Sequence, residues 1–272
     1  MIRALPTHVF SPARIGAMVL RYLYLLRGSW PRILDYAYWP TVQMILWGFM
    51  TQFFATHSAW VVQAAGVLIA AVLLWDVLFR AQLGVSVVFM EELFSRNLGH
   101  LFASPLRPYE FACALVMISL FRTVLGVGSA ALLAIPLYHY SIFEMGLPLI
   151  VFFTNLVVFG WAIGFIICGL LLRFGLGVEN LAWASIFAIA PLSGIYYPIA
   201  TLPGWLQPVA WALPTSHVFE GMRTVLFEHR FDTLLCLRAI ELNLVYLGLG
   251  IAVFLWVFRL ARERGLLLQT GE

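Results

Sequence analysis

Residues 191–214 read PLSGIYYPIATLPGWLQPVAWALP. The stretch is apolar enough to pass for membrane, yet it holds five of the chain's 13 prolines, Pro191, Pro198, Pro203, Pro208 and Pro214. Each proline removes a backbone donor and clashes with the preceding turn, so one spanning helix cannot contain all five. Leu202-Pro203-Gly204 is a turn signal, and WLQPVAWALP makes at most a short amphipathic helix. Tyr196, Tyr197, Trp205 and Trp211 are residue types that settle at headgroup depth. The segment is therefore expected to end a span near the outer surface and to lie or dip there as short helices. Broken backbone at that depth needs protein or a water-filled cavity over it. That makes the segment a lid over a path; the alternative is an aromatic anchor that fixes helix height. His217, Glu220 and Arg223 follow at spacings of three, so Glu220 can pair with either neighbour.

The rest of the chain sets the frame for that reading. Of 272 residues, 62% are hydrophobic and 11% charged, with mean hydropathy +0.94. Soluble domains are near half apolar and a quarter charged; an excess this large indicates an all-α, multi-span membrane protein. About 20 mostly apolar residues are needed to cross. Six segments qualify: 36–56, 61–81 (its helix extending to as far as 90), 109–137, 147–172, 181–198 and 239–260. Arg3, Arg14, Arg21, Arg27 and Arg32 precede the first. Arg96 and Arg107 lie in the second loop, Arg173 follows the fourth span, and Arg259, Arg262 and Arg264 close the last. The opposite side carries Arg223 and Arg230, with Arg238 at its edge. Short-loop arginines mark the cytoplasmic side, so both termini are expected there. No apolar run in the first 30 residues ends in a small-residue cleavage site, so a cleavable leader is not expected.

The organisation that follows is a tail with an interfacial helix over 1–34, a transmembrane region over 35–260 and a tail over 261–272. Ile15, Met18, Val19, Tyr22, Leu25 and Leu26 make one helical stripe, with Arg14 and Arg21 on the other side. Such a helix suits the membrane interface; a short helix buried in a cytoplasmic bundle is the alternative. The loop after the second span, EELFSRNLGHLFAS over 91–104, predicts a stiff amphipathic helix. Phe94, Leu98, Leu101 and Phe102 form its apolar face, and Glu91, Glu92, Arg96, Asn97 and His100 its polar remainder. It either lies on the membrane or docks into a partner's groove.

All 16 basic residues are arginine. A P-loop requires a lysine to reach nucleotide phosphates, so this chain has no such site and any ATP-driven work comes from a partner. Cys113, Cys168 and Cys236 are far apart in apolar surroundings and indicate neither a metal site nor a disulfide framework. No histidine fits HExxH. Inside the spans, Asp76 lies 15 residues before Glu91 and Arg122 lies 15 after Arg107. Equal counting puts them at one depth on a hairpin and predicts an ion pair, with Arg80 competing for Asp76 from one turn away. The functional alternative is that Asp76 or Arg122 faces a substrate path. Asn155, Glu241 and Asn243 are read as polar groups that hold helices together.

In this order of parts the chain resembles an ABC-2 type export permease. The resemblance is carried by EELFSRNLGHLFASPLRPYEF (91–111) and by PLSGIYYPIATLPGWLQPVAWALPTSHVFEGMR (191–223), and it covers nearly the whole chain. It implies two permease subunits, as a homodimer, in a bacterial inner membrane, with two separate ATPase subunits below that use ATP and Mg. The chain itself would bind no cofactor. The helix over 91–104 would couple to the ATPase, and 191–230 would form the outer gate. The cargo would be a drug, a lipid or a lipid-linked glycan. Tyr38, Trp39 and Trp47 of the aromatic first span would line the path or face lipid. An intramembrane lipid-modifying enzyme and a secondary transporter are the alternatives; the first needs polar residues converging at one depth, as expected for Asp76 and Arg122.

Overall fold

In the computed structural model, which describes residues 10–57 and 61–264, the side chains of residues 54–57, 61–66 and 176 lie outside the description. The ends of both predicted tails, residues 1–9 and 265–272, also lie outside it. Ten α-helices and short 3-10 turns make up the described chain. They are α1 Pro12–Arg27, α2 Trp30–His57, α3 Val61–Phe94, α4 Leu98–Ala103 and α5 Pro108–Tyr138. There follow α6 Leu147–Phe174, α7 Asn180–Ile189, α8 Gln207–Trp211, α9 Pro214–Glu228 and α10 Thr233–Glu263. Four helices, α3 (over Val67–Phe94), α5, α6 and α10, are long and apolar enough to cross a membrane.

The other two expected spans differ for identifiable reasons. Helix α2 has 28 residues, about 42 Å at 1.5 Å per residue, so length is not the obstacle. Trp30, Tyr36, Tyr38, Trp39 and Trp47 lower its hydropathy, and Arg32, Asp35, Thr41, Gln43, Thr51 and Gln52 interrupt it. Helix α7 has ten residues, about 15 Å. It ends at Ile189 because Pro191 supplies no donor, and the chain tightens into a 3-10 turn over Ala190–Leu192. The sequence reading of 181–198 as one span is corrected to this short helix and a turn.

Helix α3 is the central post. It packs between α5 and α6, α6 packs on α10, and α2 lies across α3 and α5. In lipid the water-driven term between helices is absent, so close backbone approach and polar contacts hold such a bundle. Both devices are present. A Cβ placed on Gly160 would stand 2.9 Å from the Leu78 carbonyl oxygen, and one on Gly250 would stand 2.5 Å from that of Ala162. Between α6 and α10, Asn243 Nδ2 donates to the Asn155 carbonyl (3.0 Å) and to its Oδ1 (2.8 Å). These are two of the polar groups expected to bind helices. At the α4 end, rings from four helices interlock: Phe89 with Phe111 and Phe254, and Phe102 with Phe258 at 4.4 Å.

Gly250→Ala is therefore expected to destabilise by about 1–3 kcal/mol, because the obstacle is backbone and cannot rotate away. Gly248→Ala, with nothing within 4 Å of its added Cβ, is expected to be neutral or slightly stabilising. Thermal unfolding of the two purified variants in one detergent checks this; equal midpoints would contradict the packing argument.

Candidate functional site

Two regions hold the residues picked out by sequence, at opposite ends of the bundle. The first is the loop joining α3 to α5. The expected single helix over 91–104 is instead broken. Residues 91–94 complete α3, Arg96 adopts φ 54°, and α4 has only six residues. Ser95, Arg96 and Asn97 make the break. Ser95 Oγ donates to the Glu92 carbonyl and Asn97 Nδ2 to the Glu92 carboxylate (2.6 Å). Short polar side chains that bond local groups in this way compete with helix continuation.

The loop residues divide into an outer tip and an inner root. Phe94 is 53% exposed, and Ser95, Arg96, His100 and Ala103 are exposed with it. Glu91, Leu101 and Phe102 are partly buried; Phe102 packs edge-on against Phe111 and Phe258. Glu92 and Leu98 are each only 2% exposed. The sequence groups both with the docking face, and their burial removes them from it.

The buried Glu92 has another task. Arg21 of α1 donates to both of its oxygens. Seven residues earlier on the same face, Arg14 makes a forked contact with Glu110, its Nε 2.8 Å from Oε2. Glu110 is fully buried and also accepts from the backbone N–H of Ser11 (2.9 Å) and Arg107 (3.1 Å). Ile15, Met18, Tyr22 and Leu26 are buried beneath these pairs. Helix α1 is thus fastened by its apolar stripe to the protein, chiefly α5. Its arginines, expected on a water-facing side, turn inward. Sequence reasoning missed Arg14, Arg21 and Glu110. The available signals were the seven-residue arginine spacing and a carboxylate at the third position of a helix that begins at Pro108.

The expected pair of Asp76 and Arg122 does not form. Arg122 lies 3.9 Å from Glu91 and stacks its guanidinium over Tyr36, 5.0 Å from the ring centre. Asp76 is buried and within the field of Arg80, one turn away on α3. The cause is register. Ser119 Oγ bonds the Ala81 carbonyl, and Gly126 faces Arg80. A Cβ on Gly84 would stand 2.9 Å from Ser119 Cα, so Arg122 lies opposite about Ala81, a little over one turn nearer the α4 loop than Asp76. Counting residues from each end of the loop assumed a symmetric hairpin, and α3 and α5 are offset.

The second region is the hairpin between α7 and α10. Its turn, 193–199, is pinned from below by α9. Glu220 Oε1 accepts from the Ile199 N–H (2.6 Å), and Arg223 donates to the carbonyls of Gly194 and Ile195. Glu220 and Arg223 pair at 3.3 Å, which settles the choice between the two neighbours of Glu220. Gly194 turns the chain at φ 71°, and a Cβ there would meet Ile199 Cδ1 at 2.8 Å. Tyr197 donates to the Pro191 carbonyl (2.7 Å), and Pro198 precedes the 3-10 turn over Ile199–Thr201. His217 meets the Trp211 carbonyl at 2.9 Å. Trp205 is 76% exposed.

Helix α2 meets this hairpin. Trp47 stacks on Tyr196, ring centres 4.9 Å apart and planes 20° apart. Two residues assigned separately by sequence, one to a path wall and one to a gate, are thus in contact. Tyr38 and Trp39 are exposed and touch edge to face at 5.4 Å; they lie near the other end of α2, away from the hairpin.

No curated protein matches this chain. The family model described as ABC-2 type transporter matches residues 22–227, a range that runs from inside α1, through the loop tip and the whole hairpin, to the end of α9. With that match over most of its length, the chain belongs to the ABC-2 type transporter family, as a transmembrane permease component.

Proposed function

We propose that this chain is the membrane half of an exporter. Two copies, most simply identical, form the path, and two copies of a separate ATPase bind ATP and Mg and dock on the α3–α5 loop. Six crossings are proposed: α3, α5, α6 and α10, with α2 as the first and α7 plus the hairpin turn as a shortened fifth. Both termini face the cytoplasm in a bacterial inner membrane. The cargo is an amphiphile: a drug, a lipid or a lipid-linked glycan. The Trp47–Tyr196 stack closes the path at its outer end. The enzyme alternative relied on Asp76 and Arg122 meeting, and Arg122 instead engages Glu91 and Tyr36.

The observation that carries this reading is the contrast within the loop. Phe94, Arg96 and His100 stand exposed on a root whose polar and apolar contacts are all made inside the protein. A large exposed aromatic on a rigid mount fits a partner's groove. The absence of lysine supports it from another direction, since nucleotide must be held elsewhere. Phe94→Ala is expected to cut recovery of a P-loop ATPase at least fivefold when the tagged permease, expressed with its neighbouring genes, is purified from detergent. Its thermal midpoint should stay at the wild-type value. Unchanged recovery would remove the docking assignment, and recovery of the wild-type chain alone after gentle crosslinking would remove the exporter reading.

A further inference from the structure

A cavity of about 390 Å³ opens between α8, α9 and α10, on the hairpin end of the bundle. Trp211, His217, Leu235, Arg238, Glu241 and Leu242 are among its walls. None of these groups belongs to the Trp47–Tyr196 stack or to the α4 loop.

Depth identifies the surroundings of this cavity. Along α10 no charged residue lies between Glu241 and Arg259. From Arg238 to Arg259 is 21 residues, about 32 Å at 1.5 Å per residue, close to the ~30 Å of bilayer hydrocarbon. Arg259 follows Phe258, which packs on Phe102 of α4. Arg238 therefore stands at the opposite boundary, level with headgroups. Trp211 in the wall is a residue type that favours that level.

The polar groups match one headgroup chemistry. Arg238 is exposed and forms no hydrogen bond or ion pair among the described residues. A guanidinium at phosphate depth is suited to a forked contact with a phosphodiester. Glu241, one turn further, is also exposed and makes no ion pair among the described residues, including none with Arg238. His217 is 7% exposed. A carbonyl only accepts, so His217 Nε2 donates to that of Trp211. Burial disfavours the charged ring, which leaves Nδ1 as a lone-pair acceptor. That atom has no partner and is sealed from solvent, so His217 serves as wall and not as a ligand group. One accessible cation and one accessible carboxylate, walled by leucines, call for an anion and a donor-bearing cation on one apolar molecule.

We propose that this cavity holds the headgroup of an aminophospholipid, phosphatidylethanolamine in chemistry, from the leaflet opposite the α4 loop. Arg238 takes the phosphate, Glu241 takes the ammonium, and the acyl chains run along Leu242 and Val245. A phosphatidylglycerol headgroup offers hydroxyls but no cation to Glu241, and phosphatidylcholine offers a cation without N–H donors. The site shares no residue with the Trp47–Tyr196 stack, and binding there needs neither ATPase nor nucleotide.

Native mass spectrometry of the delipidated full chain tests it. The probes are phosphatidylethanolamine, phosphatidylglycerol, phosphatidylcholine and inorganic phosphate, each added at the same concentration. The expected result is a one-to-one phosphatidylethanolamine adduct at least fivefold more abundant than either other lipid. Arg238→Ala should lower it at least fivefold, and Arg238→Lys should restore part of it. Glu241→Gln should abolish the preference for phosphatidylethanolamine over phosphatidylglycerol while leaving some binding of both. Equal adducts in the wild type and Arg238→Ala would overturn the proposal. So would equal wild-type affinity for all three lipids, or displacement of the lipid by inorganic phosphate at comparable concentration, which would indicate a site for soluble anions. Because the readout is binding alone, its failure leaves the exporter reading untouched, and loss of the ATPase leaves this result unchanged.

Discussion

Arg21→Ala will lower the thermal midpoint of the purified chain by about 5–10 °C, while Glu92→Gln will lower it by roughly half as much. The asymmetry comes from burial. The side chain of Arg21 is 38% exposed and that of Glu92 only 3%. Removing the arginine strands a carboxylate in the root of the loop, where Asn97 alone still donates to it among the described side chains. An uncompensated buried charge costs about 3–5 kcal/mol. The partial exposure of Arg21 and the remaining Asn97 bond bring the expected loss to about 2–3 kcal/mol. At about 2–4 °C per kcal/mol for a chain of this size the shift follows. Removing the carboxylate instead leaves a guanidinium with access to water. The double variant Arg21→Ala/Glu92→Gln should therefore be more stable than Arg21→Ala alone, since the stranded charge is gone. Such a cycle isolates the pair from the rest of α1. Strictly additive losses, or an unchanged midpoint in Arg21→Ala, would show that the apolar stripe holds α1 unaided.

This result also separates two meanings of the loop's carboxylates. The amphipathic pattern over 91–104 places Glu92 among docking residues, and charge reversal there would then weaken partner association without loss of structure. The fold gives the opposite expectation: reversal of Glu92 loosens α1, and only substitutions at the exposed tip act on association alone. Phe94 and Glu92 are two residues apart in sequence and about opposite in consequence.

What could be read from the sequence, and what could not, follows the physical range of each signal. Spans α3, α5, α6 and α10 were legible because each carries its own continuous apolar run. That the proline-rich stretch ends a helix was legible because a proline acts on its immediate neighbours, but the end was placed at 198 and α7 already stops at Ile189. The clamp of α1 was not. Arg14 and Arg21 have the spacing of a solvated face, and nothing local says that Glu92 and Glu110, 71 and 96 residues away, will come to meet them. The offset between α3 and α5 was equally invisible, since it is set by where Gly84, Ser119 and Gly126 allow close approach. A contact that depends on a register shift of about one turn cannot be obtained by counting from the loop. The Trp47–Tyr196 stack joins distant parts of the chain for the same reason: two aromatic-rich segments were evident, their meeting was not.

The largest effect at the other end of the bundle is expected from Arg223→Ala. In the folded chain Arg223 closes the 193–199 turn by donating to Gly194 and Ile195, and it balances Glu220, which itself holds the Ile199 N–H. Without it, two carbonyls beneath the turn lose a charged donor and Glu220 loses its counter-charge. A loss of about 2–3 kcal/mol in the closed turn is the expected scale. That raises the open population roughly 30- to 150-fold, at 1.4 kcal/mol per factor of ten. Ile195 is the reporter, since it is 2% exposed. With Cys113, Cys168 and Cys236 replaced by alanine, Ile195→Cys should react slowly with a membrane-impermeant maleimide. Adding Arg223→Ala should accelerate it by more than tenfold, and Arg223→Lys by less, because an ammonium can balance Glu220 but lacks the second nitrogen that lets Nη1 face Glu220 while Nη2 holds the carbonyls. Identical rates in all three would show that apolar packing, and not this latch, keeps the turn shut. The same reporter decides between gate and anchor. A gate must open in the unaltered latch when the partner ATPase is loaded with nucleotide, so labelling of Ile195→Cys would rise under those conditions and fall when nucleotide is removed. An anchor would show the Arg223→Ala acceleration and no response to nucleotide, because a turn that only sets helix height has no second state for the ATPase to favour.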